Sequence, residues 1–201
     1  MIGFQAEKVE AYIADRPVAG LHVKTLYNPF FDSSDNLVTA WLARPEMDGE
    51  FVLMNGDTLY EAEVLRRLLA EPEGPITLVV NTKATYDSDD MKVSMDDDGR
   101  LRAVSKTLSR EHVNGESIGL MRFLGDGIGA FESALDRNVR SGRGIKAFYL
   151  SVIDQLSKEI RVGTSLMTGL WWGEVDSPDD LESVRAAFEH AKKTGHFDVT
   201  G

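Results

Sequence analysis

The sequence predicts an α/β fold of three layers, with helices on both faces of a mostly parallel sheet. Three observations carry that expectation. Segments with strand patterning alternate along the chain with segments of helical periodicity. Phe51-Val52-Leu53-Met54 is apolar without alternation, the mark of a strand buried on both faces, and residues 76–81 form another apolar strand. The first of these runs stops abruptly at Asn55-Gly56-Asp57, with Thr58 behind it. A central strand would there deliver a carboxylate to the carboxyl edge of the sheet, where α/β folds place ligands. The same triplet is also ordinary turn chemistry.

The elements follow in order. Val9, Tyr12 and Ile13 share one face of a helix over 6–14, and residues 21–27 alternate as a strand that ends at Asn28-Pro29. A loop over 30–35 leads to a helix over 37–43, which Pro45 ends. After the central strand, a helix over 61–70 closes at Glu-Pro-Glu-Gly-Pro, and 76–81 is a further strand. Residues 91–95 and 101–106 flank Asp96-Asp97-Asp98-Gly99, a hairpin signal. A strand over 117–124 precedes amphipathic helices over 128–139 and 145–156, joined by Ser141-Gly142-Arg143-Gly144. Strands over 162–167 and 170–175 complete the sheet. Ser177 then caps a last helix, with Pro178 at its first position and Asp179 and Asp180 in its first turn.

At 201 residues the chain reads as one domain, and 42% apolar with 27% charged residues is the balance of a soluble globular protein. It shows neither an apolar run near membrane-spanning length nor a signal peptide, so the expectation is a cytoplasmic protein without a membrane span. A net charge of −11 argues against a nucleic-acid polymer as partner, which would need a basic stripe. With no cysteine, any metal must be held by carboxylate, carbonyl or imidazole groups, and that set favours magnesium. Glu174 and Asp176 are two apart on a strand and share a face at its end. Asp57 and Asp176, each at a strand's carboxyl end, form the kind of pair that binds magnesium and a triphosphate. Asp179 and Asp180 are better explained as capping residues.

Four stretches resemble, in order, the motifs of the nucleotidyltransferase superfamily that activates sugar phosphates and phosphocholine. They are Asn55-Gly56-Asp57, Asp89-Asp90-Met91-Lys92-Val93, Gly115-Glu116-Ser117-Ile118-Gly119-Leu120, and the segment from Trp172 to Leu181. The second block, with Tyr27-Asn28-Pro29 and Asp35-Asn36, looks most like the bacterial phosphocholine cytidylyltransferase branch. The resemblance implies a GT-A-like, Rossmann-like α/β/α mixed sheet and a magnesium-dependent enzyme. In such an enzyme the substrate's phosphate attacks the α-phosphorus of CTP, or of another nucleoside triphosphate, and pyrophosphate leaves. It implies that Asp57 and Asp176 bind the metal and that Lys92 or Lys106 meets the phosphate of a small phosphorylated acceptor. Glu116 would hold the acceptor's polar groups, and Asn36, Asn55 and Gly56 lie in the substrate-binding motifs. Trp172, with Trp171 and Tyr149, would form either core or part of an aromatic cage for a quaternary ammonium.

The family begins with a strand and a glycine-rich loop carrying an arginine, followed by Pro-Lys; here Met1-Ile2-Gly3-Phe4 aligns after the family's second strand. Two expectations follow: either the start is misassigned and the chain is a piece of a complete enzyme, or it is a genuinely shortened relative. Its strand over 21–27 would lack a neighbour, and the chain would be poorly stable alone or would form a homo-oligomer through the gap. Sugar-phosphate transfer with UTP or another nucleotide is the second reading, a non-catalytic binding relative the third, and a glycosyltransferase ranks below these. Gly125-Asp126-Gly127-Ile128-Gly129 reads as a loop, Asp87-Ser88-Asp89-Asp90 lacks the glycine and glutamate of a calcium loop, and His22, His112, His190 and His196 show no ligand spacing.

Overall fold

The structure is a computed structural model that describes residues 1–71 and 74–194. Its elements are α1 (Ala6–Asp15), α2 (Asn36–Leu42), β1 (Phe51–Met54), β2 (Thr58–Tyr60), α3 (Ala62–Ala70), β3 (Ile76–Asn81), β4 (Lys92–Met95), β5 (Leu101–Ser105), β6 (Gly115–Phe123), α4 (Asp126–Arg140), α5 (Leu150–Glu159), β7 (Val162–Leu166), β8 (Trp172–Glu174) and α6 (Pro178–Thr194). The Glu-Pro-Glu-Gly-Pro turn and His196 lie partly or wholly outside the described residues.

Three layers form as the sequence patterning requires. In β3, Ile76, Leu78 and Val80 point to one core, shared with Leu37 of α2, Phe131 and Leu135 of α4, and Ile153 and Leu156 of α5. Val79, one residue out of phase, joins a second core with Ile118 and Leu120 of β6 and Val64 and Leu68 of α3. A strand buried on both faces reads as an unbroken apolar run for that reason.

The sheet itself is mixed rather than mostly parallel. It runs β5-β4-β6-β3-β7 with β1 added to β6, and only the β3–β7 pairing is parallel. The long strand β6 organises it. One edge of β6 pairs with β3, while the other is divided between β4, at Gly115 and Glu116, and β1, from Leu120 to Phe123. Gly119, at φ +71°, makes the break between the two partners. A two-stranded ribbon, β2 with β8, stands apart from the main sheet and was not expected as such at its first strand.

Two expectations fail at the N-terminal side. Residues 21–26 form no strand, and β1 is not covered on both faces: Phe51 and Leu53 pack inward, while Val52 and Met54 are 36% and 55% exposed. Both have one cause. With no strand at 21–27, β1 pairs only with β6 among the described residues, so its second edge is left open and Val52 and Met54 stay exposed. The helix α1 buries no residue, and Val18, Leu21, Val23 and Tyr27 are exposed. The predicted helix over 145–156 starts instead at Leu150, behind a turn that places Tyr149.

The stretch 125–129 opens α4 rather than forming a loop, with Gly125 as its N-cap. Gly127 lies against the backbone of Pro75, where an added Cβ would fall 1.9 Å from the carbonyl oxygen. Neither backbone can yield cheaply. Gly127→Ala is expected to cost about 3 kcal/mol and to lower the melting temperature by roughly 6–12 °C, read by calorimetry.

Candidate active site

The ribbon β2–β8 brings the two acidic segments together. Thr58 lies opposite Glu174, and the Val175 amide donates to the Asp57 carbonyl at 3.0 Å, so the pairing continues into the two adjoining segments, before β2 and after β8, that carry Asp57 and Asp176. At the end of the ribbon α6 begins with a capping box. The Asp180 amide donates to Ser177 Oγ at 3.2 Å, and Asp180 Oδ2 accepts from the Ser177 amide at 2.8 Å and its hydroxyl at 2.7 Å. These hydrogen bonds hold the exposed Asp180 carboxyl below its usual range. Asp180 also accepts from the Asp176 amide at 3.2 Å, which fixes the backbone of Asp176 and leaves its carboxylate outside the cap.

A cavity of about 390 Å³ opens in front of the ribbon. Its walls carry six carboxylates, Asp57, Asp89, Asp90, Glu116, Glu174 and Asp176, and one cationic side chain, Lys106. Asn36, Asn55, Phe148, Tyr149 and Trp172 complete the polar and aromatic lining. Partial desolvation, and then the charges of Asp57 and Asp176, push the Glu174 carboxyl above its ordinary value. An oxygen-only, strongly negative donor set of this kind suits a hard divalent cation. Asp57 and Asp176 are the pair that could hold one.

The acidic wall is partly neutralised on one side. Lys83 Nζ bridges Glu116 at 2.7 Å and Asp90 at 2.8 Å, and Asn81 donates to Glu116 at 2.8 Å. Partial burial opposes the charge on Lys83, but these bonds prevail and hold its ammonium above the usual lysine value. Glu116 is only 3% exposed, so it is a fixed charge at the cavity floor.

Most sequence-predicted site residues therefore meet here: Asn36, Asn55, Asp57, Lys106, Glu116, Trp172 and Asp176 line this cavity. Lys92 does not. It is buried, and its ammonium donates to the carbonyls of Lys106 at 2.9 Å and of Ser88 and Asp90 at 3.5 Å. All three of its protons are engaged, so Lys92 ties the acidic loop to the end of β5 and is corrected from a catalytic to a structural group. Gly56 lines a second, adjoining groove of about 500 Å³, bounded by β1, α2 and Met1. Trp172 and Tyr149 share the cavity wall, whereas Trp171 does not line it. The sequence reading gave no role to Phe148 or Ser117. Neither carries a pattern of its own, although Phe148 adjoins Tyr149 in the sequence.

No protein-family model matches the chain. Over 107 residues, half of this chain, it is 30% identical to the CMP-5′-(3-aminopropyl)phosphonate synthase of Streptomyces rubellomurinus, of whose length it spans 17%. Among solved structures it is similar to the inositol-1-phosphate CTP transferase of T. maritima, with a TM-score of 0.70 and 19% identity, covering 89% of this chain and 69% of that one. It is also similar to the CTP:phosphocholine cytidylyltransferase of Streptococcus pneumoniae, with a TM-score of 0.65 and 13% identity, covering 90% and 74%. The chain has the nucleotidyltransferase fold. No helix among the described residues is long and apolar enough to cross a membrane.

Proposed function

We propose that the chain is a magnesium-dependent nucleotidyltransferase that moves a cytidylyl group from CTP to a small phosphate ester or phosphonate bearing a cationic amine. The observation that carries this reading is the convergence of Asp57 and Asp176 on one cavity, through the ribbon β2–β8, on this fold. The similarity to proteins named for CTP chemistry supports the choice of nucleotide.

Among the described residues no three histidine or acidic side chains cluster as a metal site by themselves. Asp57 and Asp176 would hold a magnesium ion, and with two protein ligands its remaining positions would be left to phosphate oxygens and water. When bound, it neutralises the charge of the phosphates. The protein's own part is positioning and charge. Lys106, the one cation on the wall, would meet the acceptor's phosphate or phosphonate. The acidic wall, with the exposed carboxylate of Glu174, and the ring of Trp172 would attract a quaternary or primary ammonium. That favours phosphocholine or a close relative over a sugar phosphate, which carries no cationic group.

The test is pyrophosphate release with Mg²⁺ and CTP or UTP, against phosphocholine, 3-aminopropylphosphonate, inositol 1-phosphate and glucose 1-phosphate. The expected result is turnover with CTP and the two cationic acceptors. Preference for UTP with glucose 1-phosphate would instead establish the sugar-phosphate reading, and no release with any pair would overturn nucleotidyl transfer.

A further inference from the structure

In a cavity walled by six carboxylates, a phosphoryl group needs hydrogen-bond donors, and Lys106 is the single cation on the wall. The side-chain amides of Asn36 and Asn55 are neutral donors there, beside the Ser117 hydroxyl and the Trp172 indole N–H. Both amides are oriented by one residue. The Tyr149 backbone N–H donates to Asn36 Oδ1 at 2.9 Å, and the Tyr149 hydroxyl donates to Asn55 Oδ1 at 2.7 Å. A backbone N–H can only donate, which fixes which end of the Asn36 amide it faces. The Tyr149 phenol is 3% exposed; burial first, then the charges of Asp57 and Glu174, push its ionisation far above the usual tyrosine range. It is therefore a donor at every working pH.

Gly119 completes the arrangement. The Asn55 amide nitrogen lies 2.4 Å from where a Cβ on Gly119 would be, and the Asn55 backbone N–H donates to the Gly119 carbonyl at 2.8 Å. The side chain is thus held between the phenol and the break in β6. With both oxygens taken, the NH₂ groups of Asn36 and Asn55 make no hydrogen bond among the described residues. Asn36, Asn55, Asp57 and Tyr149 line both the acidic cavity and the adjoining groove, so the unit forms the wall between them.

We infer that Tyr149 is a positioning residue that turns the amide N–H groups of Asn36 and Asn55 toward phosphoryl oxygens at this wall. The inference rests on the phosphate-ester reading of the site, and it acts through Asn55 rather than by contact of the phenol with substrate. The variant Tyr149→Phe keeps the ring and its packing and removes only the hydroxyl.

Two readouts test it. In ligand-free protein, two-dimensional ¹⁵N–¹H spectra should show the Asn55 side-chain NH₂ pair shifted in the variant and the Asn36 pair in place, since the latter depends on the Tyr149 backbone. In titrations of the 201-residue protein with Mg²⁺ and CTP, Tyr149→Phe should weaken binding about tenfold, but less than about twofold when Asn55 is already Ala. Equal weakening in both backgrounds, or an unmoved Asn55 amide, would overturn the inference. If the unsubstituted protein binds no CTP, the nucleotidyltransferase reading falls instead, and the spectra alone decide whether Tyr149 sets Asn55.

Discussion

Changing Asp57 to Asn is expected to lower pyrophosphate release by about a thousandfold or more, equivalent to about 4 kcal/mol of transition-state stabilisation, while the protein still folds. The same holds for Asp176→Asn. Asparagine keeps the size and one oxygen of the carboxylate but loses the charge that a hard cation requires. Asp57 and Asp176 are both exposed and belong to neither hydrophobic core, so the melting temperature should stay within roughly 2 °C. Undiminished release in either variant would remove these residues from the metal site. A collapse of the fold in parallel with activity would make them structural.

A second readout from the same variant does not depend on turnover. Glu174 titrates above its ordinary 4.5, first because it is partly desolvated and then because Asp57 and Asp176 repel its charge. A carboxyl raised in this way contributes stability that is fully present below its unfolded value and is lost as pH rises through the folded value. Removing the Asp57 charge relieves part of that loss. Compared with the unsubstituted protein, Asp57→Asn should therefore gain up to about 2 °C in melting temperature as pH rises past the ordinary carboxylate range, with no gain at the acid end. An unchanged difference across that range would place Asp57 too far from Glu174 to act on it.

What the sequence disclosed, and what it withheld, divides along the range of the interactions involved. The α6 start was legible because a capping box is written in four consecutive residues, Ser177 to Asp180. β3 was legible as an apolar strand, and the structure adds that both of its faces are covered. In β1 the same kind of run misled, since four apolar residues show what a strand could bury but not whether a neighbour is there to cover it. Lys92 misled for a related reason. A lysine inside a motif offers a charge, and only the fold shows that three carbonyls already receive it. Tyr149 was visible as an aromatic near the site, but its hydroxyl partner is 94 residues away in sequence, beyond any local pattern. Asp57 and Asp176, by contrast, reach one cavity through the antiparallel ribbon β2–β8, which stands apart from the main sheet, and not through the gathering of parallel strand ends.

The unpaired edge of β1 leads to the other large effect. In the antiparallel pairing of β1 with β6, backbone groups of alternate residues face the partner, and the Asn55 N–H donating to the Gly119 carbonyl fixes the phase. Val52 and Met54 therefore turn their N–H and C=O groups to the open edge. No proline, bulge or charge protects Phe51-Val52-Leu53-Met54. This edge is self-complementary: in an antiparallel pair with a second copy, Val52 faces Met54 and Met54 faces Val52 about a two-fold axis. Met1, which shares a groove with β1, is 40% exposed and adds apolar surface there. The 201-residue chain is expected to sediment at twice 22.2 kDa. Val52→Lys should return it to the monomer mass, because a charge on the edge strand must be desolvated in the pair and stays in water without it. Asp57 and Asp176 are untouched by that change. A monomer with a sharp, reversible unfolding transition before any substitution would show that the open edge is satisfied by water alone.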